Sequence, residues 1–302
     1  MSGSLILINQ SNYDPTTGVC TYKFPSPYKA ENEEVALVTA SFYNSFYNVS
    51  AALGNNKYKF TFPVWSGGTY VDTDYLCLLS DGYYTFEQLN YAFENFFIAN
   101  KLYATNSGSS GSNVYFYTLL VNDSLYGIQL TSFYLPTTAQ ATTLGWVLPA
   151  GAPQIFNNVD NRMLYPQLTL NGSSTYLGIP DGVYPSTVTA STSPTYLYQA
   201  FSYVGPNAPQ VDNVTSVILR LNMINNSAIG NPVDMLAQIP VTGGFGAINN
   251  SQINYPLFSS IGNTSYTELK LSFMDQNQNL IRFKDTSLAF TLFIKPHPTF
   301  NI

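Results

Sequence analysis

Thr215-Ser-Val-Ile-Leu-Arg-Leu-Asn-Met223 decides the fold. Val217, Leu219, Leu221 and Met223 point one way, and Ser216, Ile218, Arg220 and Asn222 the other. Two later stretches repeat the pattern. In Thr267–Phe273, Leu269, Leu271 and Phe273 oppose Glu268, Lys270 and Ser272. In Leu288–Ile294, Leu288, Phe290, Leu292 and Ile294 oppose Ala289, Thr291 and Phe293. A period of two places successive side chains on opposite faces of a sheet. The fold class is therefore all-β, with antiparallel strands that bury one face, and the search narrows to sandwiches.

Working outward, further strands are expected at Ser4–Ile8, Val19–Phe24, Glu34–Phe42, Tyr58–Phe62, Tyr70–Leu79 and Met235–Pro240. One segment breaks the pattern. In Thr85–Lys101, Phe86, Leu89, Phe93, Phe96 and Phe97 recur at spacings of three and four, and Thr85 with Gln88 forms a capping box. That predicts one short amphipathic helix covering a sheet. Asn106–Ser112 is a glycine-serine loop, and Val114–Val121 with Tyr126–Tyr134 reads as a hairpin turning at Asn122–Ser124. Periodicity then weakens through Leu135–Tyr165 and Tyr184–Pro194, and strands return at Tyr196–Tyr203. This texture places a loop-rich, mostly β insertion domain at 113–206, inside a discontinuous β domain made of 1–112 and 207–302. Asp275-Gln-Asn-Gln-Asn279 is expected to turn between two hairpin strands.

Composition bounds the function. Of 302 residues 45% are hydrophobic, enough for a folded core, while only 9% are charged, against ~25% in an average soluble domain. Such a surface suits a chain packed against neighbours. The 24 Tyr and 20 Phe fit interfaces, and they fit strands equally well. The net charge of −6 and the scattered basic residues argue against direct nucleic-acid binding. No apolar run is long enough to span a bilayer, and the first residues lack the charged and apolar regions of a signal peptide. Cys20 and Cys77 read as buried small hydrophobes, not as a disulfide scaffold.

Concentrated chemistry is missing from the sequence. His297, the sole histidine, sits in Lys295-Pro-His-Pro298, a poor scaffold for a catalytic triad. Asp275-x-Asn277-x-Asn279 resembles the start of a calcium loop, but Leu280 and Thr286 stand where glycine and glutamate are required. Gly67-Gly68 and Gly243-Gly-Phe-Gly246 open no phosphate-binding helix. One histidine and two distant cysteines give no zinc spacing. No catalytic, metal or cofactor-binding residue is expected, and no cofactor.

Three segments carry a family resemblance. Ser41-Phe-Tyr-Asn-Ser-Phe-Tyr-Asn-Val-Ser50, followed by Asn55-Asn-Lys-Tyr58, resembles a pattern near the N-terminus of the penton (minor capsid) proteins of virophages and Polinton-type elements. Asp81-Gly-Tyr-Tyr-Thr-Phe-Glu-Gln-Leu89 is similar to that family's Gly-Tyr lead into a short helix. Met274–Phe283 with Leu288–Lys295 is similar to its closing hairpin and last strand. Length, low charge and acidic balance also suit the pentons of Mavirus-like virophages. The resemblance covers about the first 100 and last 90 residues.

It implies a single jelly roll whose two sheets pack face to face. It also implies a homopentamer at the five-fold vertices of an icosahedral capsid, set among capsomers of a double jelly-roll major capsid protein. The insertion would then project as a tower able to meet a host receptor or glycan. The chain would reside in the virion, be made in the host cytoplasm, and have no enzymatic activity. Tyr43, Phe46 and Tyr47 are the candidate assembly residues; filling the sandwich is their other reading. An alternative is a β-sandwich lectin or adhesin stacking sugars on Trp65 or Trp146, for which core packing is the plainer role. A weaker one is a glycosidase, which needs two carboxylates in a cleft.

Overall fold

Alternation in the sequence becomes paired strands in the computed structural model, which describes residues 3–107, 111–157, 162–192, 199–224 and 234–298. The middle of the glycine-serine loop and the start of the expected strand at Tyr196 lie outside the described residues. In chain order the strands are β1 (Ser4–Asn9), β2 (Tyr13–Asp14), β3 (Val19–Lys29), β4 (Glu33–Tyr43), β5 (Lys57–Ser66), β6 (Thr69–Leu78), β7 (Tyr103–Asn106) and β8 (Asn113–Tyr115). There follow β9 (Tyr117–Asn122), β10 (Gly127–Phe133), β11 (Trp146–Val147), β12 (Gln167–Leu170), β13 (Gly182–Tyr184) and β14 (Gln199–Val204). The last are β15 (Ser216–Leu221), β16 (Met235–Pro240), β17 (Ile248–Gln252), β18 (Ser259–Ser260), β19 (Ser265–Met274) and β20 (Ala289–Pro296). The helices are α1 (Phe86–Ala99), α2 (Thr138–Leu144) and α3 (Ser174–Leu177).

The chain divides into two units, 1–47 with 214–302 and 48–213. This corrects the expected insertion at 113–206: the second unit begins where β4 ends, not after the glycine-serine loop. The reason is physical. Strands β5 and β6 alternate as regularly as those of the first unit, so no change of texture marks the boundary. Their inward residues nevertheless pack on α1, in a separate core.

The first unit is a jelly roll. One sheet runs β1-β20-β4-β17, with β18 also on β4, and the other runs β16-β15-β19-β3-β2. The chain changes sheets at most of its connections, which is the double Greek-key order of that fold. Val217, Leu219 and Leu221 of β15, Leu269, Leu271 and Phe273 of β19, and Phe290, Leu292 and Ile294 of β20 all reach one core. Across the layers the rings of Phe273 and Phe290 lie 5.2 Å apart.

Two departures from the expected pattern have clear causes. Strand β4 turns Val35 and Leu37 inward but then Ala40 and Phe42, a change of parity. Its register against β20 slips there, because Thr39 pairs with Thr291 and Leu37 with Leu292. Val38 is the extra residue of a β-bulge, which flips every side chain beyond it. The expected closing hairpin is also corrected, since β19 and β20 lie in opposite sheets. The turn between them is nevertheless built as read. The Asp275 carboxylate accepts the backbone N–H groups of Asn277 and Asn279, each at 2.8 Å.

In the second unit Tyr58, Phe60 and Phe62 line the inner face of β5. Phe60 is the hub, with ring centroids 5.1 Å from Phe93, 4.8 Å from Phe97 and 5.6 Å from Tyr117. Helix α1 begins as expected: Thr85 Oγ1 accepts from Gln88 N at 3.2 Å, and Thr85 N donates to Gln88 Oε1 at 3.0 Å. Sheets β13-β12-β5-β6, β14-β10-β9 and β11-β7-β8 complete the described part. The β9–β10 hairpin forms in the expected place, with Asn122 opposite Gly127.

Candidate functional site

The segment after β4 is polar in sequence yet buried in the fold. Asn44, Ser45, Asn48, Ser50, Asn55 and Asn56 are all shielded from solvent. A buried amide or hydroxyl must find partners, and these do, apart from Asn56 Oδ1, which has none among the described residues. In the first unit Asn44 N donates to Ala247 O at 2.8 Å, its side-chain amide donates to Gly243 O at 3.1 Å, and its carbonyl accepts from Gly246 N at 2.7 Å. Gly246 meets that carbonyl at φ +85°, a conformation that favours glycine. Ser45 Oγ accepts from Asp285 N at 3.0 Å.

In the second unit Asn48 is a clamp. Its Nδ2 donates to Tyr84 O at 2.8 Å and to Val211 O at 3.1 Å, while its Oδ1 accepts from Tyr84 N at 2.9 Å. Asn55 Nδ2 donates back to Asn48 O at 2.7 Å, and Asn55 Oδ1 accepts from Ser50 N. Asn56 Nδ2 donates to Leu79 O at 3.2 Å. Sequence reasoning missed these six residues because their partners lie as far as 240 positions away. The only local signal was the density of Asn and Ser where the alternation of β4 stops.

The three assembly candidates separate. Phe46 is only 6% exposed and packs on Phe283 at 5.3 Å and Phe42 at 6.4 Å. That corrects its assignment: it fills the sandwich. Tyr43 is half-buried on the outer side of β4, opposite the exposed Ile248 of β17. Tyr47 is half-buried with the Lys284 ammonium 5.5 Å from its ring centre. Of the sugar-stacking candidates, Trp65 is 7% exposed with Tyr70 edge-on at 4.2 Å, so its ring is already occupied. Trp146 is half-buried, 6.0 Å from Phe116.

The other groups with chemical potential are tied into structure. Cys20 and Cys77 are buried and unbridged, and burial pushes both thiols up to about 12. His297 Nε2 lies 4.0 Å from Glu34, whose other carboxylate oxygen takes Lys295 at 3.1 Å. Among the described residues no three His, Cys, Asp or Glu side chains are placed to hold a metal ion, and no helix is long and apolar enough to cross a membrane.

The two outer faces of the jelly roll differ in chemistry. On the sheet holding β19, Lys23 stands opposite Glu268, Glu268 meets Lys270 at 2.7 Å, and Arg220 meets Asp234 at 2.6 Å. The bond from Lys270 holds the Glu268 carboxyl below its ordinary range. On the sheet holding β1, the outward positions of β1 and β20 are apolar or neutral except at Lys295, which pairs with Glu34 of β4. Leu5 and Leu7 are 68% and 56% exposed, beside Phe293 and Thr291 of β20. Phe258 lies on Phe293, and Lys295 covers Phe258 at 3.7 Å while paired with Glu34. Leu257 and Tyr255, nearby in the chain, are almost fully exposed.

No protein-family model matches this chain. No curated protein matches it either. Among solved structures, the mavirus penton protein superimposes with a TM-score of 0.41 at 8% sequence identity, covering 97% of this chain and 98% of that one.

Proposed function

We propose that the chain is a structural capsid protein that forms pentameric capsomers at the five-fold vertices of an icosahedral, virophage-type particle. The observation that carries this reading is the jelly-roll strand order of the first unit, together with the outer face of the β1 sheet, where the charges are confined to the Glu34–Lys295 pair at one end. Jelly rolls recur in shells because their flat faces tile, and a face nearly free of charge can be covered while stripping water from few ions. The motif of Ser41–Ser50, similar to that of virophage pentons, supports the same reading. A five-fold ring is a heterologous contact that closes, so each copy uses two different surfaces, for which Tyr43 and Tyr47 are candidates.

In this reading the protein resides in the virion after synthesis in the host cytoplasm. Its neighbours are copies of itself and a double jelly-roll major capsid protein, and it carries out no catalysis. The inserted unit, 48–213, is the part free to meet a host receptor or glycan. Imaging particles assembled with and without this chain tests the proposal. Five copies at each vertex, lost when the chain is omitted, are expected; vertices complete without it overturn the reading.

A further inference from the structure

Three dipeptides in the sequence are prone to covalent rearrangement: Asn171-Gly172, Asp81-Gly82 and Asp181-Gly182. Asparagine is among the thermolabile residues, and a following glycine has no side chain to keep its backbone nitrogen from the asparagine Cγ. The fold brings two of the three together. Strand β12 pairs with β13 so that Leu170 stands opposite Gly182. Just beyond that pair, Gly172 N donates to Asp181 Oδ2 at 2.9 Å. Position 172 requires glycine: its φ is +75°, and a Cβ there would lie 2.6 Å from the Gly54 carbonyl oxygen. The second member of the labile pair therefore cannot be enlarged. Asn171, Gly172 and Asp181 are all exposed, so water reaches them.

We infer that Asn171 is a deamidation site of this chain and that Asp181 guards it. Deamidation uses the Gly172 nitrogen as nucleophile. That nitrogen attacks Cγ of Asn171, a five-membered imide closes, and the side-chain nitrogen leaves as ammonia, carrying the proton that Gly172 has lost. Water then opens the imide to aspartate or isoaspartate. The nitrogen must be free of its proton and brought within about 3–3.5 Å of the carbon it attacks. Here a carboxylate holds that proton, in a charge-assisted bond stronger than a neutral one. Removing the proton would set a nitrogen anion beside the carboxylate, and the two would repel. Attack therefore waits for the Gly172–Asp181 bond to open. The same bond occupies the carboxyl through which Asp181-Gly182 would rearrange. Asp81-Gly82 offers an internal comparison, because its locks do not involve Asp181. Gly82 N donates to Val49 O at 2.9 Å, and Asp81 Oδ1 accepts from Ala51 N at 2.8 Å. Nothing in this inference rests on the penton reading.

The test incubates the full chain at mildly alkaline pH and follows aspartate and isoaspartate at positions 171 and 81 by peptide mass mapping. A free peptide of the sequence Leu170–Tyr176 sets the unguarded rate. The folded wild type should convert Asn171 more slowly than the peptide. Asp181→Ala removes the acceptor and should speed conversion at Asn171 by roughly fivefold or more, the factor that one hydrogen bond commands in a rate. Isoaspartate at Asp81 should form at the wild-type rate in that variant, which separates loss of the guard from a general loosening of the unit. Hydrogen exchange at the Gly172 amide should be slowed in the wild type and released in Asp181→Ala. A wild type that converts as fast as the peptide, or a variant that converts no faster than the wild type, overturns the inference. A variant that converts more slowly also overturns it, since Asp181 would then be drawing the proton off to promote attack. So does equal acceleration at Asn171 and Asp81.

Discussion

The jelly-roll unit fills its interior with strands laid in register: Val217, Leu219 and Leu221 on β15, Leu269, Leu271 and Phe273 on β19, Phe290, Leu292 and Ile294 on β20. The inserted unit instead gathers rings from separate elements around Phe60, with Phe93 and Phe97 from α1 and Tyr117 from β9. In the first unit the load is spread along ladders. In the second it converges on one ring and on one amide, Asn48. The lesson is that a regular sheet shares its burial among many equivalent residues, while an irregular unit depends on a few hubs and buried polar ties.

Substituting the hub gives the largest expected effect. Phe60→Ala should remove about 3–5 kcal/mol from the inserted unit, and Phe273→Ala a similar amount from the jelly roll. If the two units are separate cores, each substitution lowers one calorimetric transition and spares the other. A single shared transition, lowered alike by both, breaks the comparison. Next is Asn48→Ala, which strands the Tyr84 N–H and the Val211 carbonyl and leaves the Tyr84 carbonyl to the Tyr176 hydroxyl alone. A loss of about 3 kcal/mol is expected, confined to the inserted unit, and denaturant unfolding followed by the fluorescence of its two tryptophans measures it.

The smallest effect sharpens the comparison by treating both units equally. Each holds one buried thiol, Cys20 in the first and Cys77 in the second, raised from 9.0 to about 12 by desolvation. A folded-state value above the unfolded one means that stability is intact below the unfolded value and drains away as pH climbs toward the folded one. Each unit should therefore lose about 1 kcal/mol from its thiol by about pH 10. Replacing either cysteine with alanine should remove that part of the alkaline dependence from its own unit only.

These differences also explain what could be read in advance. The closing strands were legible because half-buried antiparallel strands write their period into the sequence, and α1 was legible because a helical stripe and a capping box are local. The boundary at Asn48 was not, since β5 and β6 alternate like any jelly-roll strand while their partners lie in α1 and β12. Phe46 was misassigned because it follows the end of β4, where no period says which way a ring points. The parity change at Val38 and the buried amides depend on residues far along the chain, which spacing alone does not encode.

Asn48 has one more consequence. Joining the ends of a long excursion between β4 and β15 would ordinarily burden the sandwich with the entropy of closing a long loop. Here a single side chain fastens the start of the excursion to Val211, close to its finish. The closure is thus met inside the inserted unit, and the sandwich meets only a short tether. A segment fastened in this way behaves as a cassette, open to replacement by another of different length or surface while the host strands keep their register.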